Sequence, residues 1–132
     1  MNEQMSKTVR EAMDTEVVMI DGMATVSEAI QVMVDKKTST LIIDKRYEQD
    51  EYGILLAADI ANQVLAQNKA PERINAYEIM SKPILFVRPD MDIRYCSRFF
   101  KRFGISQAPV IDHATIIGIV SYDSMIIKGM TR

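Results

Sequence analysis

The stretch Gly53–Ile60, GILLAADI, returns at Gly118–Met125 as GIVSYDSM. Each copy is a glycine, a short apolar run of strand character, and polar residues that open a helix. The copies part at the positions where a ligand would be held: Leu56 stands against Ser121, and Asp59 against Ser124. The pair asks whether this chain carries one site made twice, and whether either copy works.

The repetition spreads outward from there. REAMDTEVVMI, from Arg10, matches YEIMSKPILFV, from Tyr77, pairing Met13 with Met80 at an offset of 67 residues. The same offset carries through ATVSEAIQVM and MDIRYCSRFF, pairing Val26 with Ile93 and Met33 with Phe100. Pro109 is an extra residue in ISQAPVID relative to TSTLIID, so Asp44 pairs with Asp112 at 68. A loop three residues longer in the first copy, KRYEQDEY against HATII, brings the two glycines to an offset of 65. The repeats therefore span 9–65 and 76–128, and a polar linker broken by Pro71 occupies 66–75.

Each repeat predicts the order β-α-β-β-α after a short helix that ends at Met13 or Met80. The first strands are VVMI and ILFV, and the middle helices follow. Their apolar residues recur at helical spacing: Val26, Ala29, Ile30 and Met33, then Ile93, Cys96, Phe100 and Phe103. Thr25 and Glu28 have the spacing of a capping box. TLIID with YGILL, and APVID with IIGIV, predict a strand pair in each repeat. The fold class is α/β (α+β), two pseudo-symmetric repeats forming one module, because each sheet is too small to stand alone.

The residues AM and IM before the first strands, TVSEAI, GISQAPVID and GIVSYDS together resemble the CBS domain, named for cystathionine β-synthase, in its tandem pair. The resemblance covers about nine-tenths of the chain, and within it nothing is left over for an attached enzyme, channel or transporter, as in a stand-alone module. It implies clefts between the repeats that accept an adenosine-containing ligand: AMP, ADP, ATP or S-adenosylmethionine. It also implies a homodimer and signal transduction to an effector protein. In the family motif, Ser or Thr follows the glycine by three residues, and Asp follows it by six. The carboxylate accepts hydrogen bonds from the ribose hydroxyls, while the hydroxyl and the helix N-terminus favour phosphate. Here the first copy has Leu56 and Asp59, and the second has Ser121 and Ser124.

Each copy thus keeps half the motif. Asp123 lies one residue early, about 100° round a helix from the motif position. By the same resemblance, Asp59 and Ser121 serve one shared ligand, with adenine around Thr15 and Val17 and the ribose near Ser39 and Thr40. The cleft centred on Ser124 lacks its carboxylate. The plainer readings stand beside these: Asp in a first helical turn complements the helix dipole, and Ser before a helix is an ordinary N-cap.

Composition points the same way. With 16 basic and 18 acidic residues the formal charge is −2, so no electrostatic reason exists for nucleic acid or an anionic membrane. The first residues lack the apolar core of a signal peptide, and a single cysteine precludes an internal disulfide, so a cytoplasmic protein is expected. One histidine, His113, in a DHAT turn leaves no Cys–His or Ser–His–Asp set, and five glycines form no phosphate loop, so an enzyme is not expected. Cys96 and the ten methionines read as packing, and YEQDEY lacks the ligand spacing of a calcium loop. No metal and no required cofactor is expected. Arg94, Arg98, Lys101 and Arg102 form a basic helical face, solvated or facing an acidic group. A second apolar line, Met91, Tyr95 and Phe99, makes that helix apolar on two sides and favours the homodimer. The alternative to a ligand sensor is a ligand-independent dimeric adaptor.

Overall fold

A computed structural model describes residues 7–82 and 84–131. The chain divides into two compact units: Val18–Ile84, and the described parts of Met1–Val17 with Leu85–Arg132. Both mix helix and strand.

The unit formed by Val18–Ile84 is built on a three-stranded sheet in the order β1-β2-β3. β1 (Met19–Ile20) lies parallel to β2 (Thr40–Ile43), and β2 is antiparallel to β3 (Gly53–Leu56). Between β1 and β2 runs α2 (Val26–Lys36), a crossover that parallel strands require. It starts at the capping box expected from Thr25 and Glu28. The Glu28 N–H donates to Thr25 Oγ1 at 3.0 Å, and the Thr25 N–H donates to Glu28 Oε1 at 2.8 Å. Val26, Ala29, Leu41, Ile43 and Leu55 are buried in its core. Ile30, expected on the inner stripe, is 37% exposed, because it stands one position round the helix from Ala29. After β3 come α3 (Ala57–Ile60), a wider π turn over Ala61–Leu65, a 3₁₀ turn at Pro71–Arg73, and α4 (Ala76–Ile79).

The other unit holds α1 (Val9–Ala12), α5 (Ile93–Phe103), α6 (Tyr122–Gly129) and an antiparallel pair, β4 (Gln107–Asp112) with β5 (Thr115–Ser121). Phe100, Cys96, Val9, Val110 and Val120 fill its core. His113 and Ala114, both at positive φ, turn β4 into β5.

Two further expectations fail for identifiable reasons. ILFV is no strand: Val87 alone bridges β4, its N–H donating to Pro109 O and its carbonyl accepting from Ile111 N. Extending that parallel ladder toward Leu85 would need an N–H from residue 109, and proline has none. Phe103 is 50% exposed and stacks on Phe99 with ring centroids 4.8 Å apart. It is the last residue of α5, where Gly104 in the left-handed conformation ends the helix.

The short helices end at Met13 and Met80, as the sequence indicates. Both also carry a glutamate that reaches back to the N-cap: the Thr8 N–H donates to Glu11 Oε1 at 2.9 Å and the Asn75 N–H to Glu78 Oε2 at 2.8 Å. The Thr8 backbone and hydroxyl hold the Glu11 carboxyl below its usual range. Among the described residues, no helix is long and apolar enough to cross a membrane.

Candidate functional site

The end of β3 sets the first copy of the site. Thr40 and Leu56 are register partners across β2 and β3, and the Ala57 N–H donates to Ser39 O at 3.0 Å. This crossing brings Ser39, Thr40 and the first turn of α3 together. Asp59 Oδ2 accepts from the Leu56 N–H at 2.8 Å, which fixes the carboxylate against the chain. Its Oδ1 carries no hydrogen bond among the described residues, and the same holds for the Ser39 hydroxyl, which is exposed. Thr40, the first residue of β2, is 8% exposed.

The second copy has the same backbone and different chemistry. Gln107 and Ser121 are register partners across β4 and β5, and the Tyr122 N–H donates to Ser106 O at 3.2 Å. Ser124 Oγ takes the role of Asp59 Oδ2, accepting from the Ser121 N–H at 2.9 Å. The same Oγ lies 3.2 Å from Ser121 O, to which it donates, and Ser121 Oγ accepts from the Ser124 N–H at 3.0 Å. Ser124 is 5% exposed. The two hydroxyls form a closed cap, and the capping role foreseen for Ser121 is realised in these bonds.

Of the residues singled out in sequence, Ser39, Thr40 and Asp59 belong to the Val18–Ile84 unit. Thr15, Val17, Ser121 and Ser124 belong to the other. Thr15 and Val17 follow Asp14, whose backbone exchanges both hydrogen bonds with Ile119 at 2.8 Å. Asp14 also pairs with Lys128, at 2.6 Å.

The remaining candidates resolve into ordinary chemistry. Cys96 is fully buried, and desolvation pushes its thiol up to about 11, the opposite of a reactive thiolate. His113 is exposed beside Asp112, which also pairs with Arg10 at 3.2 Å. In the basic face, Arg94 is forked onto Asp92, and Arg98 lies over the Tyr95 ring. No group of three or more potential metal ligands occurs among the described residues.

Two hollows were not foreseen from sequence. One, of about 410 Å³, lies between α5 and α6, with Ile93, Tyr122, Met125, Ile126 and Met130 around it and Arg94 and Arg98 also lining it. The other, of about 390 Å³, lies at the carboxyl ends of β1 and β2 against the loop that is longer in the first repeat. The extra loop length was the available signal for the second. The first had no such signal, because Met91, Tyr95 and Phe99 do not line it.

The comparisons with known proteins agree with this architecture. A hexameric CBS-CP12 protein from bloom-forming cyanobacteria is 39% identical, with a TM-score of 0.90 over 93% of this chain and 71% of that one. The CBS domain pair of protein MJ0100, solved in complex with 5′-methylthioadenosine and S-adenosyl-L-methionine, is 22% identical, with a TM-score of 0.78 over 92% and 94%. That identity speaks for the fold alone. An uncharacterized protein of Methanopyrus kandleri is 32% identical over 81 residues, and homoserine O-acetyltransferase of Methanosalsum zhilinae is 30% identical over 119. The matches take in 60% and 89% of this chain, but only 41% and 23% of those proteins. The sequence model of the CBS domain matches residues 9–65 and again 76–128. With both repeats matched, the chain belongs to the CBS domain family and carries a tandem pair.

Proposed function

We propose that this CBS pair is a cytoplasmic regulatory module that binds one adenosine-containing ligand per chain and relays its presence to an effector protein. AMP, ADP, ATP and S-adenosylmethionine are the ligand class; no cofactor is required. The observation that carries this reading is the carboxylate of Asp59. One oxygen is anchored to the Leu56 N–H, and the other has no partner among the described residues, beside the exposed Ser39 hydroxyl. An anchored carboxylate with a spare oxygen is suited to accept from a ribose hydroxyl, since little freedom is lost on binding. The two adenosine compounds bound by the MJ0100 pair support the ligand class.

Ser124 offers no such charged acceptor: its hydroxyl accepts from the Ser121 N–H, donates its proton to Ser121 O and is 5% exposed. Binding is therefore expected at micromolar affinity or weaker, with Asp59→Asn reducing it about ten- to a hundred-fold. Asparagine keeps an oxygen for the Leu56 N–H, so the fold should persist, and circular dichroism checks that. Titration calorimetry with AMP, ATP and S-adenosylmethionine decides. Equal affinity in wild type and Asp59→Asn moves the site elsewhere. No heat with any of the three leaves the second reading, a ligand-independent dimeric adaptor.

That second reading has its own observation. Ile126, Ile127 and Met130, on α6 and at its end, are exposed apolar groups, and Ile126 and Met130 line the 410 Å³ hollow. We propose that a second copy covers them, in a homodimer compatible with either reading. The hexameric state of the CBS-CP12 relative supports self-association.

A further inference from the structure

The connection from β2 to β3 is where the repeats differ most in length, and it builds something. In the second repeat the corresponding connection is the two-residue turn His113–Ala114. In the first, the longer loop folds into a braced turn. Asp50 Oδ2 accepts from the Arg46 N–H at 2.9 Å, Asp50 Oδ1 pairs with Lys82 Nζ at 2.6 Å, and the Asp50 N–H donates to Tyr47 O at 3.1 Å. This turn carries Lys45 and Arg46 against the 390 Å³ hollow.

Two carboxylates stand in the same hollow. Ile20 and Ile43 are partners in the parallel pair β1–β2, and the Asp44 N–H donates to Ile20 O at 3.0 Å. Asp21 and Asp44 therefore leave adjacent strands, spaced about 4.8 Å, at the same end. Each spends Oδ1 on a local N–H, Met23 at 2.8 Å for Asp21 and Lys45 at 2.7 Å for Asp44. Neither Oδ2 has a hydrogen bond among the described residues. Two carboxylates at neighbouring register positions, each with an oxygen unspent among the described residues, suit a cation between them.

The protein does not use its neighbouring cations for that purpose. Lys45 Nζ lies 4.9 Å from the centroid of the Tyr52 ring. The Arg46 guanidinium has no hydrogen bond, ion pair or ring contact among the described residues, although its backbone is fixed. The hollow thus offers paired anionic acceptors, a separate forked donor, and a wall of Met19, Ile20 and Met23. An ammonium between the carboxylates, a carboxylate on the guanidinium, and an apolar side chain on the methionines would satisfy all three.

We infer that this hollow is a second ligand site, separate from Asp59, and that it takes a free α-amino acid with an apolar side chain. The braced turn sets the backbone that carries Arg46 before the ligand arrives, so binding orders that side chain but not the loop.

The test uses the full chain. A thermal-shift screen at millimolar concentration covers the standard L-α-amino acids, and calorimetry follows for L-methionine and L-leucine. One of these two should give the largest rise in midpoint, and its N-acetyl and carboxamide derivatives should each bind at least about tenfold more weakly. Arg46→Gln and Asp44→Asn should each lower its affinity by a similar factor, while leaving any response to AMP unchanged. No response to any amino acid overturns the proposal. So does wild-type affinity in both variants, and so does a response to Ca²⁺ or Mg²⁺ alone, which would assign the carboxylates to a metal. Loss of AMP binding with the amino-acid response intact would strike only the Asp59 reading.

Discussion

At Gly118 an added Cβ would lie 2.7 Å from Asp14 O, 2.6 Å from Met13 Sδ and 3.0 Å from Met13 Cγ. At Gly53 it would meet Met80 Sδ at 2.6 Å, but the backbone oxygen of Ser81 only at 3.3 Å. Both glycines open the stretches that reveal the repeat, and sequence reading places them at the start of a ligand motif. The structure gives them a further reason, which is room for the methionine that ends a short helix. A thioether can swing aside, whereas a carbonyl held in a backbone bridge cannot. Gly118→Ala is therefore expected to cost about 2 kcal/mol and Gly53→Ala less than half of that. Urea unfolding of the two variants measures it, and equal costs would show that the methionines, not the Asp14 carbonyl, set the limit. Ser121 was legible at this scale as a cap, whereas Ser124 read only as a missing carboxylate. The closed pair of bonds was not, since spacing alone does not say which hydroxyl donates.

Elements were legible where local chemistry is self-sufficient. α2 announces itself by Thr25, Glu28 and its apolar spacing, and the same bonds appear in the structure. The missing strand at ILFV depends on a partner more than twenty residues away, so no window containing ILFV shows it. The loop between β2 and β3 is of the same kind. YEQDEY reads as a solvated acidic turn, yet its Asp50 is clamped by Lys82 from beyond α4. The hydrogen bond from Lys82, followed by that from the Arg46 N–H, lowers the Asp50 carboxyl to about 2. The folded state thus binds this proton less readily than the unfolded chain does. The clamp's contribution to stability is complete above the ordinary carboxylate pKa of about 4 and disappears as pH falls toward about 2. Thermal midpoints of wild type and Asp50→Asn should differ at pH 5 and converge across that window. A gap that stays constant down to the acid end would show that the carboxyl is not held low.

For the whole molecule, the repeat was legible and the grouping of its parts was not. Internal similarity pairs α1 with α4 and β2–β3 with β4–β5, which is enough to recognise the tandem family. It says nothing about which sheet a short helix joins. In the structure α1 falls in the unit of the second repeat's strands, and α4 in that of the first. Equivalence between copies is a property of sequence, whereas packing is settled by burial of Val9 and Ala12 in one core and Ala76 and Ile79 in the other.

Association is decided at this scale too. Met91 and Phe99 are partly buried against their own core, so the second apolar line of α5 narrows to Tyr95, while Ile126 and Ile127 on α6 are 56% and 66% exposed. Sequence did not suggest the exposed apolar groups of α6, which lie beside a hollow that α5 and α6 share. A standard interface covers about 800 Å² per partner, an area this face and its rim must supply if a second copy sits on it. Light scattering should then report twice the chain mass at micromolar concentration. Ile126→Glu with Ile127→Glu should give a monomer whose circular dichroism is unchanged, because exposed positions tolerate charge and an apolar contact does not. A wild-type chain that stays monomeric at about ten times that concentration would leave the apolar face for a different protein. A double variant that remains dimeric would place the interface away from α6.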